Sequence, residues 1–354
     1  MNKFLRFVFV QASVLCLLSR HPAAFAQPAM PVPEPSPGAS VSQTIGISDI
    51  TVNYHRPGVK NRTIWGGLVP YGVVWRAGAN ENTTVSFSDS VNVEGKPLPP
   101  GTYGLHMIPG KESWTVIFSK NSTSWGSFFY DEKEDDLRVQ VKPEPSQFQE
   151  WLVYTFDDLT PQSVNLSLRW EKLRVPVHMD IDVNPIVLDR AKNSYLRGIA
   201  GFTWQGFSQA AAYCLKNHVE EAEGLTWIER SIAMNKNFNN LAIKAGLLDG
   251  LGRSGEADEA RRGASTLAVT EVQVNLLGYQ YLGLGDTKDA VTVFKRNVAE
   301  HPDSWNVYDS LGEAQDQAGE KAAATENYTK ALKLVQDEAN KKRITGILQR
   351  LQGK

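Results

Sequence analysis

The sequence predicts a multidomain α+β protein, with an antiparallel β-sandwich or barrel-like domain in front and an all-α stack of helical hairpins behind. Three observations predict it. Apolar residues alternate with a period near two from Ala39 to about Asp182. A pattern of small and aromatic residues recurs 34 positions apart near the C-terminal end. A leader with basic, apolar and small-residue parts precedes both.

In the leader, Lys3 and Arg6 come first and Phe7 to Leu18 is an apolar run broken by Gln11 and Ser13. Ala24-Phe25-Ala26 then places small residues where a signal peptidase reads. Residues 1–26 are therefore expected to be a cleaved export signal, with the mature protein periplasmic or extracellular. The run is shorter than the roughly 20 residues that span a bilayer, so no stable membrane span is expected after cleavage. Cys16 lacks the small residues that precede a lipid-modified cysteine. Cleavage removes three basic residues and no acid, so the formal charge moves from −2 to −5. Such a chain has no basic field to neutralise phosphates, which excludes nucleic acid as a partner. Cys214 is then the sole cysteine, so no intramolecular disulfide forms. Its Ala-Ala-Tyr-Cys-Leu setting reads as a small buried residue and not a nucleophile.

Residues 27–38 are proline-rich and read as an extended linker. The β-domain is expected over 39–182. Its alternating stretches include Ile45-x-Ile47, Ile50-x-Val52-x-Tyr54, Val85-x-Phe87 and Val91-x-Val93. Tyr103-x-Leu105-x-Met107 and Trp114-x-Val116-x-Phe118 form a hairpin closed by Pro109-Gly110-Lys111-Glu112. Leu137-x-Val139-x-Val141, Leu152-x-Tyr154-x-Phe156, Val164 to Trp170 and Val175-x-Val177 complete the set. Two long stretches break the alternation, His55 to Asn82 and Ser119 to Asp136. Long connections in a compact β-domain are functional or mobile.

Residues 183–204 read as a bridging helix, strongest from Pro185 to Ile199, and 205–354 as helical repeats. Leu277-Gly278 recurs as Leu311-Gly312, Gly285 as Gly319, Ala290 as Ala324 and Phe294 as Tyr328. Ala212 with Ile228, and Gly246 with Ala260, mark two weaker copies ahead of these. The pattern resembles the tetratricopeptide consensus, in which small residues let two antiparallel helices approach. About four hairpins and a capping helix are expected. The first helices of such hairpins line a concave groove. That places Asn275, Tyr279, Asp309 and Glu313 toward a neutral to acidic partner surface, suited to a basic or polar peptide or to docking the β-domain.

The densest polar-aromatic stretch runs from His55-Arg56-Pro57 through Arg62, Trp65-Gly66 and Val69-Pro70-Tyr71-Gly72 to Trp75-Arg76-x-Gly78-Ala79-Asn80-Glu81. Leu98-Pro99-x-Gly101-Thr102-Tyr103 follows. This order resembles the bacterial family catalogued as domain of unknown function 2911, over most of 39–182. The resemblance implies a secreted β-domain, followed in some members by helical repeats, and brings no known activity or site residue.

Two readings of this stretch stand side by side. In the functional one, Arg56, Arg62 and Arg76 converge with His55, Asn80, Glu81 and His106, and Trp65 and Trp75 wall a site for a small anionic or sugar-like ligand. In the structural one, Arg76 pairs with Glu81, Asn80 satisfies loop backbone, and the tryptophans are core. No metal motif, Walker loop or Gly-x-Ser-x-Gly occurs, so neither metal nor cofactor is expected. The acidic run Asp131 to Asp136 lacks the calcium-loop pattern and reads as a solvated turn. The sequence thus points to an exported binding or scaffolding protein with a ligand-holding β-domain and partner-binding repeats. The alternative is an envelope hydrolase or isomerase using His, Glu and Arg of the 55–83 loop.

Overall fold

The computed structural model describes residues 32–353, so the expected export signal and the start of the linker lie outside the described residues. Ten strands form two sheets. They are β1 (Gly38–Ile45), β2 (Ser48–His55), β3 (Thr84–Phe87), β4 (Val91–Val93), β5 (Lys96–Leu98), β6 (Gly101–Ile108), β7 (Trp114–Ser119), β8 (Asp135–Val141), β9 (Glu144–Asp157) and β10 (Ser163–Asp180). One sheet has the order β1-β2-β3-β6-β7-β8 and the other β5-β4-β10-β9, with antiparallel pairing throughout. The sheets do not close, so of the two expected architectures the open sandwich is the one adopted.

Alternation buries one face of each strand. In β2, Ile50, Val52 and Tyr54 are buried while Asp49 and Asn53 face water. The stretch expected as two strands, Val164 to Trp170 and Val175 to Val177, is one long strand. Its pairing with β9 shifts register around Glu171, whose left-handed backbone (φ 55°) makes a bulge. The bulge keeps buried Trp170 and Val175 on the core side although the spacing between them is odd.

Ten α-helices follow: α1 (Val183–Asn193), α2 (Trp204–Asn217), α3 (Glu221–Met234), α4 (Phe238–Gly250), α5 (Ser254–Leu267), α6 (Glu271–Gly283), α7 (Thr287–Glu300), α8 (Trp305–Gln317), α9 (Lys321–Leu334) and α10 (Glu338–Leu351). None is long and apolar enough to cross a membrane among the described residues. Helices α2 to α9 make four hairpins, and α10 covers the last. The repeat works through close approach: a Cβ on Gly278 would run into the Phe294 ring, and one on Gly312 would sit 3.1 Å from Tyr328. The second hairpin lacks that pair. There Arg261 is buried instead, held by Asp249 and Asp258, each at 2.5 Å, with its guanidinium over the Tyr281 ring.

Helix α1 begins before Pro185 and stops at Asn193, shorter than expected, because the chain turns into two short 3-10 segments up to Phe202. It serves both cores. Val183 and Ile186 pack on the sandwich, while Leu188 and Ala191 pack on the first hairpin. Arg190 donates to the Ile47 carbonyl (2.8 Å) and to Asp89 (2.6 Å). Burial raises the Asp89 carboxyl, but hydrogen bonds from Ser88 and Arg190 and the Arg190 charge outweigh it and hold it below the usual value.

Candidate functional site

The long connection from β2 to β3 folds back over the sandwich and divides the expected site residues into three groups. The first is core. Trp65 meets Trp114, Trp170 and Trp75 edge-on at centroid distances of 4.9, 5.7 and 6.0 Å, and Trp75 stacks on Trp170 at 6.0 Å. Arg56 donates to the Leu152 carbonyl (2.9 Å) and Arg62 to the Gly58 carbonyl (2.6 Å), so both pin backbone.

The second group lies at the surface. The His55 Nε2 is 3.4 Å from Glu81 and 3.6 Å from Glu34, and the Asn80 amide donates to Glu34 and to the Ser36 carbonyl. These contacts tie the end of the linker to the loop. Exposed pairs of this kind contribute little to stability.

The third group is Arg76 with His106. Arg76 does not meet Glu81. Its guanidinium donates to the Asn80 carbonyl (2.5 Å), has no carboxylate within ion-pair distance among the described residues, and sits 5.0 Å from the Phe128 ring. Burial lowers its pKa. His106, on β6, is 2 % exposed and shares a 2.8 Å hydrogen bond with Ser127. Burial pushes its pKa down to about 4, with the nearby Arg76 charge acting the same way and Asp135 opposing. His106 is therefore a neutral imidazole at ordinary pH.

What covers this pair is the second long connection, between β7 and β8. Gly126 (φ 61°) lies flat on Arg76, and a Cβ there would collide with the guanidinium. Tyr130 meets His106 edge-on (5.3 Å) and donates to Asp135 (2.6 Å), which also takes Arg138 (2.5 Å). Burial and the Asp135 hydrogen bond push the Tyr130 phenol up to about 12. Asn82 donates to the Asn121 carbonyl, while its own side-chain oxygen is sealed without a donor among the described residues. The same segment leaves Trp125, Phe128 and Phe129 exposed. The acidic run is more engaged than a solvated turn: Asp131 caps a 3-10 turn, Glu134 takes the Asn121 amide and Asp135 is tied as above. Ser127, Tyr130 and Arg138 were not singled out from sequence, and Asp135 only as a member of the acidic run. The break in alternation over Ser119 to Asp136 was their one visible signal.

On the helical side, Tyr279 donates to Glu313 (2.9 Å), and burial followed by the acidic neighbours pushes its phenol up to about 12. Asp309 is buried and takes Arg343 of α10 (2.8 Å); Asn275 is half-buried with its side-chain oxygen unpaired among the described residues. Tyr279, Asp309 and Glu313 thus bind α6, α8 and α10 together, and Asn275 takes no part in these bonds. The open hollow on the same side lies between α2, α4 and α6. It encloses about 420 Å3 and is lined by uncharged residues including Gln209, Ala212, Asn239, Ile243, Leu276 and Gln280.

No curated protein matches the chain. Among solved structures, the crystal structure of MamA is 16 % identical, with 41 % of this chain and 85 % of that chain covered and a TM-score of 0.33. A MamA fragment from Desulfovibrio magneticus RS-1 is 20 % identical, covering 44 % and 84 % at 0.34. YrrB, titled a TPR protein with an unusual peptide-binding site, is 11 % identical, covering 47 % and 85 % at 0.33. At such scores the hairpins are identified by their own glycine crossings. Residues 36–179 match the model of the family described as "Protein of unknown function (DUF2911)", so the β-domain carries the pattern that its Trp-Arg-x-Gly-Ala-Asn stretch announced.

Proposed function

We infer that the protein is an exported binding protein whose helical hairpins hold an extended segment of a partner polypeptide. The observation that carries this reading is the uncharged hollow between α2, α4 and α6, with Leu276 48 % exposed on its wall. Amide side chains at Gln209, Asn239 and Gln280 suit the main chain of an extended peptide, and Ile243 and Leu276 suit its apolar side chains. A photo-crosslinking residue at Ile243 or Leu276 should capture one partner in cells, and Leu276→Glu should abolish capture at Ile243 without lowering the melting temperature. Equal capture from exposed Thr226 on α3 would end the reading. Export has its own check: Edman sequencing should place the mature N-terminus at Gln27, and an envelope-associated chain beginning at Met1 would overturn it.

For the β-domain, the ligand reading narrows to Arg76 and the neutral His106 under the Gly126 segment, a pair suited to a small carboxylate or phosphate. Of the other residues expected there, Trp65, Trp75, Arg56 and Arg62 support the site from the core. His55 is engaged with Glu81, and both His55 and Asn80 with the end of the linker. A hydrolase or isomerase would draw on His55 and Glu81 as the proton-transfer pair.

A further inference from the structure

We propose that the cleft between α1 and the first hairpin binds a small organic cation that carries a hydrogen-bond acceptor. The cleft encloses about 440 Å3, within the range of small-molecule sites. Four carboxylates line it, from Asp182, Asp189, Glu220 and Glu223, against one ammonium, Lys192. Lys192 reaches Glu223 at 3.5 Å and Asp189 takes the Asn193 amide at 2.7 Å. Asp182 and Glu220 have no side-chain partner among the described residues, and Asp182 does not cap α1. The field in the cleft is therefore negative, and it reaches inward: burial and the charges of Glu220 and Glu223 push the Cys214 thiol up to about 11.

A second observation is independent of charge. Trp227 on α3 is 6 % exposed and lines the cleft, and its indole N–H has no acceptor among the described residues. Unlike the sealed indole N–H groups of Trp65 and Trp114, it keeps some accessible surface, so a ligand can reach it. A ligand with a cationic end for the carboxylates and a carbonyl or hydroxyl for the indole satisfies both.

The first hairpin also departs from the other three at this place. The turns before α5, α7 and α9 use Gly252, Gly285 and Gly319 in the left-handed region. Before α3 that position is His218 (φ 52°), and an additional left-handed residue, Glu220 (φ 44°), delays the helix by one residue and stands at the cleft. Non-glycine residues in this region are strained, and such strain concentrates at functional sites.

Calorimetric titration of the purified protein with agmatine and with L-arginine amide tests this. Both should bind, and the amide, which adds a carbonyl, should bind several-fold tighter. Asp182→Asn with Glu220→Gln, which breaks no contact, should weaken both at least tenfold at an unchanged melting temperature. Lys192→Ala should strengthen both. Trp227→Phe should erase the preference for the amide and leave agmatine binding intact. Absence of heat with both cations in the parent protein overturns the proposal. So does equal affinity in the double carboxylate variant, which decides the matter even if Trp227→Phe does not fold.

Discussion

In the β-domain one ring cluster, Trp65, Trp75, Trp114 and Trp170, is assembled from two strands and a loop far apart in sequence. In the helical half each clear hairpin closes on a local pair, Gly278 with Phe294 or Gly312 with Tyr328. The difference teaches how damage spreads. A sandwich whose core joins both sheets loses stability as one unit, whereas stacked repeats contact only their neighbours and lose it near the lesion.

The sharpest test of that contrast is Trp170→Ala. It removes a fully buried ring touching two others and should cost about 3–5 kcal/mol. Urea unfolding should show the loss, and hydrogen exchange should rise in both sheets together.

A pH effect of similar size belongs to the β-domain alone. His106 takes its proton near the usual imidazole value of about 6.5 when unfolded but only at about 4 when folded. Between these values the unfolded state binds the extra proton, so stability falls as pH drops through the window and is flat above about 7. The full loss is about 3 kcal/mol. Urea midpoints at pH 4.5 and 7.5 should differ more in the parent protein than in His106→Gln. Equal differences would mean that the buried imidazole is not the sensor.

Next comes Gly278→Ala, whose Cβ would strike the Phe294 ring; crowding of this kind costs about 1–3 kcal/mol. Faster hydrogen exchange confined to α6, α7 and their immediate neighbours is expected. Loss of protection in β6 or β10 would break the modular picture. The smallest effect belongs to Gly312→Ala, where the neighbouring Tyr328 atom is 3.1 Å away and a slight ring shift suffices. Gain in helix propensity offsets the crowding, leaving less than about 1 kcal/mol by denaturant titration.

Legibility followed the range of the interactions. The strand faces around Ile50-Val52-Tyr54 and the 34-residue register could be read because period-two and repeat patterns are written in neighbouring residues. The single strand β10 was read as two because the Glu171 bulge shifts the phase of alternation. The second hairpin had a disturbed pattern because Arg261, with two carboxylates, occupies its interior in place of an aromatic ring. Within the candidate site, the loop's arginines were visible but their partners were not. Carbonyl oxygens of Leu152, Gly58 and Asn80 receive them, and a carbonyl leaves no mark on residue type.

By itself the sequence determined the alternating strands, the hairpin register and the family likeness over most of 39–182, which the family model matches over 36–179, since each rests on local periodicity or a contiguous motif. Only the tertiary structure decided that Arg76 lies beneath Gly126 and apart from Glu81, that α1 joins both cores, and that four carboxylates and Trp227 share a cleft. Those arrangements depend on where distant segments meet, and the meeting point is set by the whole packed core.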